Sequence, residues 1–241
     1  MTGSTPALRL VRPQSVHLSS YCAALNRGWS PDNVRGAVAA EEQLAQIAED
    51  AAAFLALMDD PEAKGPPVKM PDGSTRPRIP SLRRWMWLGD DAAGSAGDAG
   101  AASTAGAAQA TGGEGGTGGT GGEGVAGGAS GAGYAGGFVG SIGLRWMPGG
   151  LPLPPHVLGH IGYAVVPWHQ RQGHATRALA LMLGIAREQG LLEVEITTDP
   201  DNGPSQRVIE ANGGRLVETF DKGAEYGHRP GLRYIIALPP R

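Results

Sequence analysis

The sequence has a single cysteine, Cys22, among its 241 residues. That excludes an internal disulfide and a cysteine-built zinc cluster, and it fits a reducing compartment. No run of 18 apolar residues occurs, and the opening MTGSTPALRLVRP lacks the apolar segment of a signal peptide. These absences predict a cytoplasmic protein with no membrane partner. Basic charge is not in excess, with 20 Lys and Arg against 23 Asp and Glu, so no nucleic-acid partner is expected. Trp85, Trp87 and Trp146 have no basic stripe beside them and read as core or pocket wall rather than a stacking platform for bases. A G-x-x-x-x-G-K-S/T loop is also missing, which argues against nucleotide hydrolysis.

What the sequence has in excess is glycine and alanine, concentrated between 91 and 137. That stretch holds 19 Gly and 14 Ala in 47 positions and no Lys or Arg. It cannot bury enough apolar surface to offset the entropy of ordering it. The expectation is one domain over 7–238 carrying a disordered insert at 91–137, because about 190 residues remain, enough for one core. G-x-G-x-x-G recurs inside the insert, and two of its copies are at Gly113, Gly115, Gly118 and at Gly122, Gly124, Gly127. Neither copy follows a strand or opens a helix, so both read as compositional chance.

Alternation in Leu8 to Arg12 predicts a first strand, and apolar spacing predicts a helix from Val16 to Gly28 and a second through Leu44, Ile47, Ala51, Phe54, Leu55 and Met58. Six prolines predict an extended loop over 61–80. Strands are expected at 83–88 and 138–146, flanking the insert, and at Val157 to Val166. A helix from Gln170 to Gly190 follows, then a strand around Leu192 to Ile196, a short helix from Pro204 to Asn212, and strands at Arg215 to Phe220 and Leu232 to Leu238. The order strand, helix, strand, helix, strand, strand is α/β architecture, with a crossover onto a mixed sheet.

The chemistry concentrates at Val165-Val166-Pro167-Trp168-His169-Gln170-Arg171-Gln172-Gly173-His174-Ala175-Thr176, where a strand gives way to the long helix. A helix N-terminus leaves backbone N–H groups unpaired and carries positive partial charge, so it is an anion site. Gly173 and the small Ala175 let a bulky phosphate approach those groups, and Arg171 and Arg177 can add charge. The spacing Gln170-x-x-Gly173-x-Ala175 resembles the Q/R-x-x-G-x-G/A signature of the GCN5-related N-acetyltransferase (GNAT) superfamily. The preceding Gly159-His160-Ile161-Gly162-Tyr163 and the later Asn202-Gly203-Pro204-Ser205-Gln206-Arg207-Val208-Ile209-Glu210-Ala211-Asn212-Gly213-Gly214 are similar to a bacterial branch of predicted acetyltransferases.

The resemblance implies an α/β (α+β) fold: a mixed, mostly antiparallel sheet with helices on both faces and a splayed central strand pair. It implies acetyl-CoA as co-substrate, an amine acceptor, no metal, and direct transfer in a ternary complex by a monomer or homodimer. Val165 and Val166 would bond the pantetheine, Arg171, Gln172, Gly173, His174, Ala175 and Thr176 would grip the pyrophosphate, and Asn202 would hold the pantetheine. The tyrosine acid of many members falls here at Ile209, which leaves three alternatives. The thiolate leaves unaided, another group such as Ser205 helps, or the chain binds CoA as a non-catalytic sensor.

An alkyl ammonium with a pKa of about 10.4 must lose a proton before it attacks, so a base is expected. His160 is the candidate, with Gly162 and Ala164 on its side of the strand and an ordinary pKa of about 6.5. A structural histidine, hydrogen-bonded within the fold, is the alternative. Cys22 reads as a small apolar group, since direct transfer needs no thiol. His169 and His174 flank the anion turn and either touch phosphate or face solvent. The acids of the second helix read as a solvated face, or as the wall of a pocket for a cationic acceptor.

Overall fold

The computed structural model describes residues 7–89 and 137–239. Strand β1 (Leu8–Val11) is followed by helices α1 (Leu18–Asn26) and α2 (Ala37–Ala56). Three short pieces, β2 (Asp59–Asp60), β3 (Val68–Lys69) and β4 (Thr75–Arg76), lead to the long strands β5 (Ser81–Leu88) and β6 (Gly137–Arg145). Then come β7 (Ile161–Val165), α3 (His174–Glu188), β8 (Glu193–Thr198), α4 (Gly203–Glu210), β9 (Arg215–Asp221) and β10 (Pro230–Ala237).

The strands form two principal sheets. One runs β1-β5-β6-β7 with β2 beside β5, and the other runs β8-β10-β9. Every ladder in them is antiparallel, and α3 carries the chain from β7, at the edge of the first sheet, to β8, at the edge of the second. Alternation along β5 sends Leu82, Met86 and Leu88 to one face and Trp85 and Trp87 to the other. A bulge in β6 keeps its side chains in step: Met86 pairs with Gly140 but Trp87 with Phe138, so Val139 is the extra residue. Phe138 thereby joins the tryptophans while Val139 joins the opposite core.

Helices cover both faces. On one, the α3 stripe of Ala178, Leu179, Met182 and Ala186 packs with Leu8, Met86, Val139 and Ile142, and α4 adds Ile209. On the other, Tyr21 and Phe54 from α1 and α2 pack on Trp85, Trp87 and Phe138, with the Tyr21 and Trp85 rings stacked 4.3 Å apart. The tryptophans are therefore core, as their isolation from basic charge suggests.

Four elements differ from the sequence reading. The strand expected at Val157 to Val166 is only Ile161–Val165, because a turn at Pro154 to Val157 precedes it and Gly159 lies flat against β8. The helix expected from Gln170 begins at His174, because Arg171 (φ 61°) and Gly173 (φ 79°) adopt left-handed backbone that no α-helix contains. Within the 61–80 loop, β3 and β4 pair as a two-residue ladder. Helix α2 is broken at Asp50 (φ −152°), whose carboxylate accepts the N–H groups of Ala52 and Ala53 at 2.9 Å and caps a new helical segment.

The insert lies outside the described residues except for Gly137, which opens β6. The described strands on either side of it are paired, with Leu88 and Gly137 as cross-strand partners. Replacing 90–136 by a two-residue turn is expected to shift the thermal midpoint by less than about 5 °C, because loop closure costs grow only logarithmically with length. A fall into insoluble protein on deletion would show that the segment packs.

Candidate functional site

The site is built where the two sheets part. At the foot of β7, the His160 N–H donates to the Glu195 carbonyl at 2.8 Å, and the Glu195 N–H donates back to His160 Nδ1 at 2.9 Å. Gly159 makes this clasp possible, since a Cβ there would sit 3.0 Å from the Glu195 oxygen. Past the clasp, β7 and β8 share no ladder, which leaves an open V between them.

N–H groups alternate sides along a strand. The Val166 N–H is taken by the Val139 carbonyl at 3.0 Å. The Val165 N–H therefore faces the opposite way, into the gap. Of the two valines expected to meet pantetheine, Val165 presents its amide there and Val166 does not.

The turn after β7 is tied down from within. Gln170 Nε2 donates to the Val165 carbonyl at 3.1 Å, so the glutamine of the signature braces the strand end against the turn. Gly173 is the N-cap of α3, with its carbonyl accepting the Arg177 N–H at 3.0 Å and with no side chain capping the helix. The first-turn N–H groups of His174, Ala175 and Thr176 are left to outside acceptors. A Cβ on Gly173 would meet nothing within 4 Å, so the approach is open. Arg171, Gln172 and Arg177 are exposed around it. Asn212 Nδ2 donates to the Thr176 carbonyl at 3.2 Å and fixes this turn to the end of α4.

Two features of this turn were not legible in the sequence. The Arg27 guanidinium, at the end of α1, sits 3.6 Å above the Trp168 ring and pins the short 3₁₀ turn Pro167–His169. His169 and His174 pair edge to face at 6.1 Å. Burial lowers both of their pKa values, with Arg27 adding to the effect on His169 and His169 to that on His174. Near neutral pH these rings stay uncharged beside the helix terminus.

Helix α4 supplies the far wall. Asn202 Oδ1 accepts the Ser205 N–H at 3.1 Å as a helix cap, which leaves its amide nitrogen to reach elsewhere. The Ser205 hydroxyl meets the Tyr163 hydroxyl at 2.9 Å, joining β7 to α4. Burial pushes the Tyr163 phenol up to about 12, against a smaller downward pull from Ser205. Ile209 is fully buried in the core and offers no polar group to the gap.

His160 is buried, and its pKa falls to about 4, chiefly through loss of water and secondarily through the nearby Arg145 charge. With Nδ1 accepting from Glu195, the ring is neutral and carries its proton on Nε2. A lone pair held in a backbone hydrogen bond, on a ring that resists protonation, does not serve as a general base. These contacts make His160 the structural clasp of the two sheets. Because its folded pKa lies below the unfolded 6.5, its contribution to stability is complete above pH 6.5 and is lost as pH falls toward 4. That loss is about 2 kcal/mol once solvent screening is allowed for. In urea titrations at pH 7 and pH 4.5, His160→Asn should show a correspondingly smaller stability difference than the parent protein. Equal differences in the two proteins would remove the clasp as its source.

Cys22 is half-buried in α1, where loss of water raises its thiol pKa, so it is a poor nucleophile. Of the α2 acids, Glu42 pairs with Arg35 at 2.5 Å and Lys69 at 3.2 Å, which places it in a solvated salt-bridge group rather than a pocket wall. Among the described residues no group of three His, Cys, Asp or Glu could hold a metal ion, and no helix is long and apolar enough to cross a membrane.

Residues 123–215 match the acetyltransferase (GNAT) domain family. Among solved structures, the chain superposes on a ribosomal L7/L12 alpha-N-protein acetyltransferase in complex with coenzyme A, with a TM-score of 0.51 at 12% identity, over 99% of this chain and 97% of that one. An acetyltransferase of the GNAT family from Bacillus anthracis is 26% identical over 42% of this chain, with a TM-score of 0.35, and the match spans 60% of that protein's length. A microcin C7 self-immunity acetyltransferase in complex with acetyl-CoA and AMP is 10% identical over 96% of this chain and 92% of its own, with a TM-score of 0.49. No curated protein sequence matches the chain. The first of these superpositions shows a shared fold, which in this chain comprises antiparallel sheets and, among the described residues, four α-helices.

Proposed function

We infer that this chain moves the acetyl group of acetyl-CoA to a primary amine of a small molecule or peptide, a reading supported by the match of residues 123–215 to the GNAT acetyltransferase domain family. The observation that carries this reading is the uncapped, sterically open start of α3 at Gly173, set beside the V between β7 and β8. A diphosphate is the anion that such a terminus suits, and a pantetheine arm is the slender chain that such a gap admits. The N–H groups of Arg171 to Thr176 bind the diphosphate, with Gly173 providing access. Val165 donates its N–H to the arm or to the thioester carbonyl, and the Asn202 amide nitrogen supports the arm. The single cysteine supports a reducing, cytoplasmic setting.

The acceptor nitrogen attacks the thioester carbon, a C–N bond forms, the C–S bond breaks and the sulfur departs as thiolate. A backbone donor aimed at the developing oxyanion supplies much of the rate enhancement in such a step. His160 is unsuited to take the ammonium proton, which leaves that proton to solvent at the gap. Ser205, oriented by Tyr163, donates a hydrogen bond to the departing sulfur.

Ile209, buried where many relatives carry a tyrosine acid, favours one rival: a protein that binds acyl-CoA without turnover. Thiol release from acetyl-CoA over a panel of amines separates the two. Amine-dependent release of CoA thiol is the expected result, and tight acetyl-CoA binding with no amine-dependent release would assign the chain to the sensor class.

A further inference from the structure

Two arginines, Arg83 and Arg145, stand on the α1/α2 face of the first sheet with no ion pair among the described residues. Arg83 lies two residues before Trp85, on the same face, and is the cross-strand partner of Gly143. Arg145 lies two residues after Gly143 and so shares that face. Gly143 in turn partners Gly162 of β7. Two arginines thus rise beside a pair of adjoining glycines, whose missing side chains leave a floor of bare backbone. Arg145 reaches over that floor, since a Cβ on Gly162 would lie 3.2 Å from its Nη2. Gly162 is itself exposed, so the floor is open to solvent.

Neither guanidinium forms an ion pair among the described residues, whereas Arg12, Arg35, Arg76, Arg78, Arg84 and Arg233 all do. Asp32, the acid whose charge acts on Arg145, accepts the Val34 and Arg35 N–H groups through Oδ1 at 2.9 Å each and forms no ion pair with Arg145. Loss of water holds the Arg145 pKa below its ordinary value, with Tyr226 and Asp32 pulling it up and Arg83 pushing it down. A desolvated cation next to a second cation is an unfavourable arrangement that an incoming anion would relieve. A planar guanidinium recognises a carboxylate through paired N–H donors.

We propose that Arg145 and Arg83, above the Gly143–Gly162 floor, form a carboxylate-binding subsite that selects amine acceptors bearing a carboxylate group. This deepens the acetyltransferase reading and rests on it. The position suits the role, because Gly162 is three residues along β7 from Val165, a separation of about 10 Å. A carboxylate held over Gly162 leaves the amine of an extended β-amino acid or short peptide within reach of a thioester at Val165. The face is opposite to α3, so donor and acceptor enter from different sides of the sheet.

The experiment compares glycylglycine, β-alanine and their C-terminal amides as acceptors, by thiol release at fixed saturating acetyl-CoA, with calorimetric acetyl-CoA affinity measured in parallel. In the parent protein each acid should exceed its amide in kcat/KM by at least about tenfold, the discrimination a fully desolvated charge pair gives. In Arg145→Met that ratio should fall toward one, and in Arg145→Lys it should be intermediate, because an ammonium keeps the charge but not the planar fork. Acetyl-CoA affinity and thermal midpoint should not fall in either variant, since each removes or softens an unpaired charge. Acids and amides used equally by the parent protein, or an undiminished ratio in Arg145→Met, would overturn the subsite. Failure of the parent protein to bind acetyl-CoA would instead overturn the transferase reading beneath it.

Discussion

Gly173→Glu should weaken acetyl-CoA binding by at least about 100-fold while the chain stays folded. Two effects act at that residue and can be separated. Gly173 has φ 79°, where an L-residue is strained by about 1–2 kcal/mol, so any side chain reduces stability somewhat. A Cβ there meets nothing within 4 Å, so no clash adds to the strain. The second effect is charge. A carboxylate about 5 Å from a diphosphate, at the effective dielectric of a protein surface, is repelled by roughly 3 kcal/mol per charge. Since 1.4 kcal/mol corresponds to a tenfold change, that term alone reaches the stated loss. Gly173→Ala carries the strain without the charge and should change affinity by less than about fivefold. Calorimetric titration of both variants is the measurement, with the Gly173→Glu defect shrinking as salt is added. Equal affinity in Gly173→Glu and the parent protein would show that no phosphate lies at this turn.

The junction of β7 with α3 was legible as a strand-to-helix boundary, because Pro167 ends the strand and Gly173 precedes the helix. What the pattern left hidden was backbone conformation. Apolar periodicity runs smoothly through Gln170 to Ala186, yet Arg171 and Gly173 are left-handed, so the helix starts later and Gln170 acts as a brace on Val165. Strand alternation placed His160, Gly162 and Ala164 correctly on one face. It could not reveal that Glu195, 35 residues on, occupies the His160 lone pair, and so a base and a structural histidine both stayed open where the fold uses a clasp. The same alternation puts Tyr163 on the opposite face, with Ile161 and Val165. Its hydroxyl is paired with Ser205 across 42 residues of chain, a contact set by how α4 docks rather than by any local motif. One missed feature did have a local signal: Asp50, mid-helix, is a residue type that caps rather than continues, and it breaks α2.

Ser205→Ala should lower kcat by about 10–100-fold with little change in acetyl-CoA affinity, matching the 1.5–3 kcal/mol of a hydrogen bond to a charged partner. The serine is suited to stabilise the departing thiolate rather than to protonate it. Its Tyr163 partner is held near 12, whereas an ordinary thiol titrates near about 8.5, so passing the phenolic proton along to the sulfur would be uphill by roughly 3 pKa units. A donated hydrogen bond has no such barrier. The backbone cap that Asn202 makes to the Ser205 N–H survives the alanine change, so α4 should keep its place and binding should be spared. Tyr163→Phe leaves the Ser205 hydroxyl present but unoriented and should cost less, about 3–10-fold in kcat. The double variant distinguishes an acting pair from two separate defects: once Ser205 is gone, removing the Tyr163 hydroxyl should cost almost nothing further. Steady-state kinetics on the two single variants and the double one are the test. An unchanged kcat in Ser205→Ala, or losses that simply multiply, would remove the pair from the leaving-group side of the reaction.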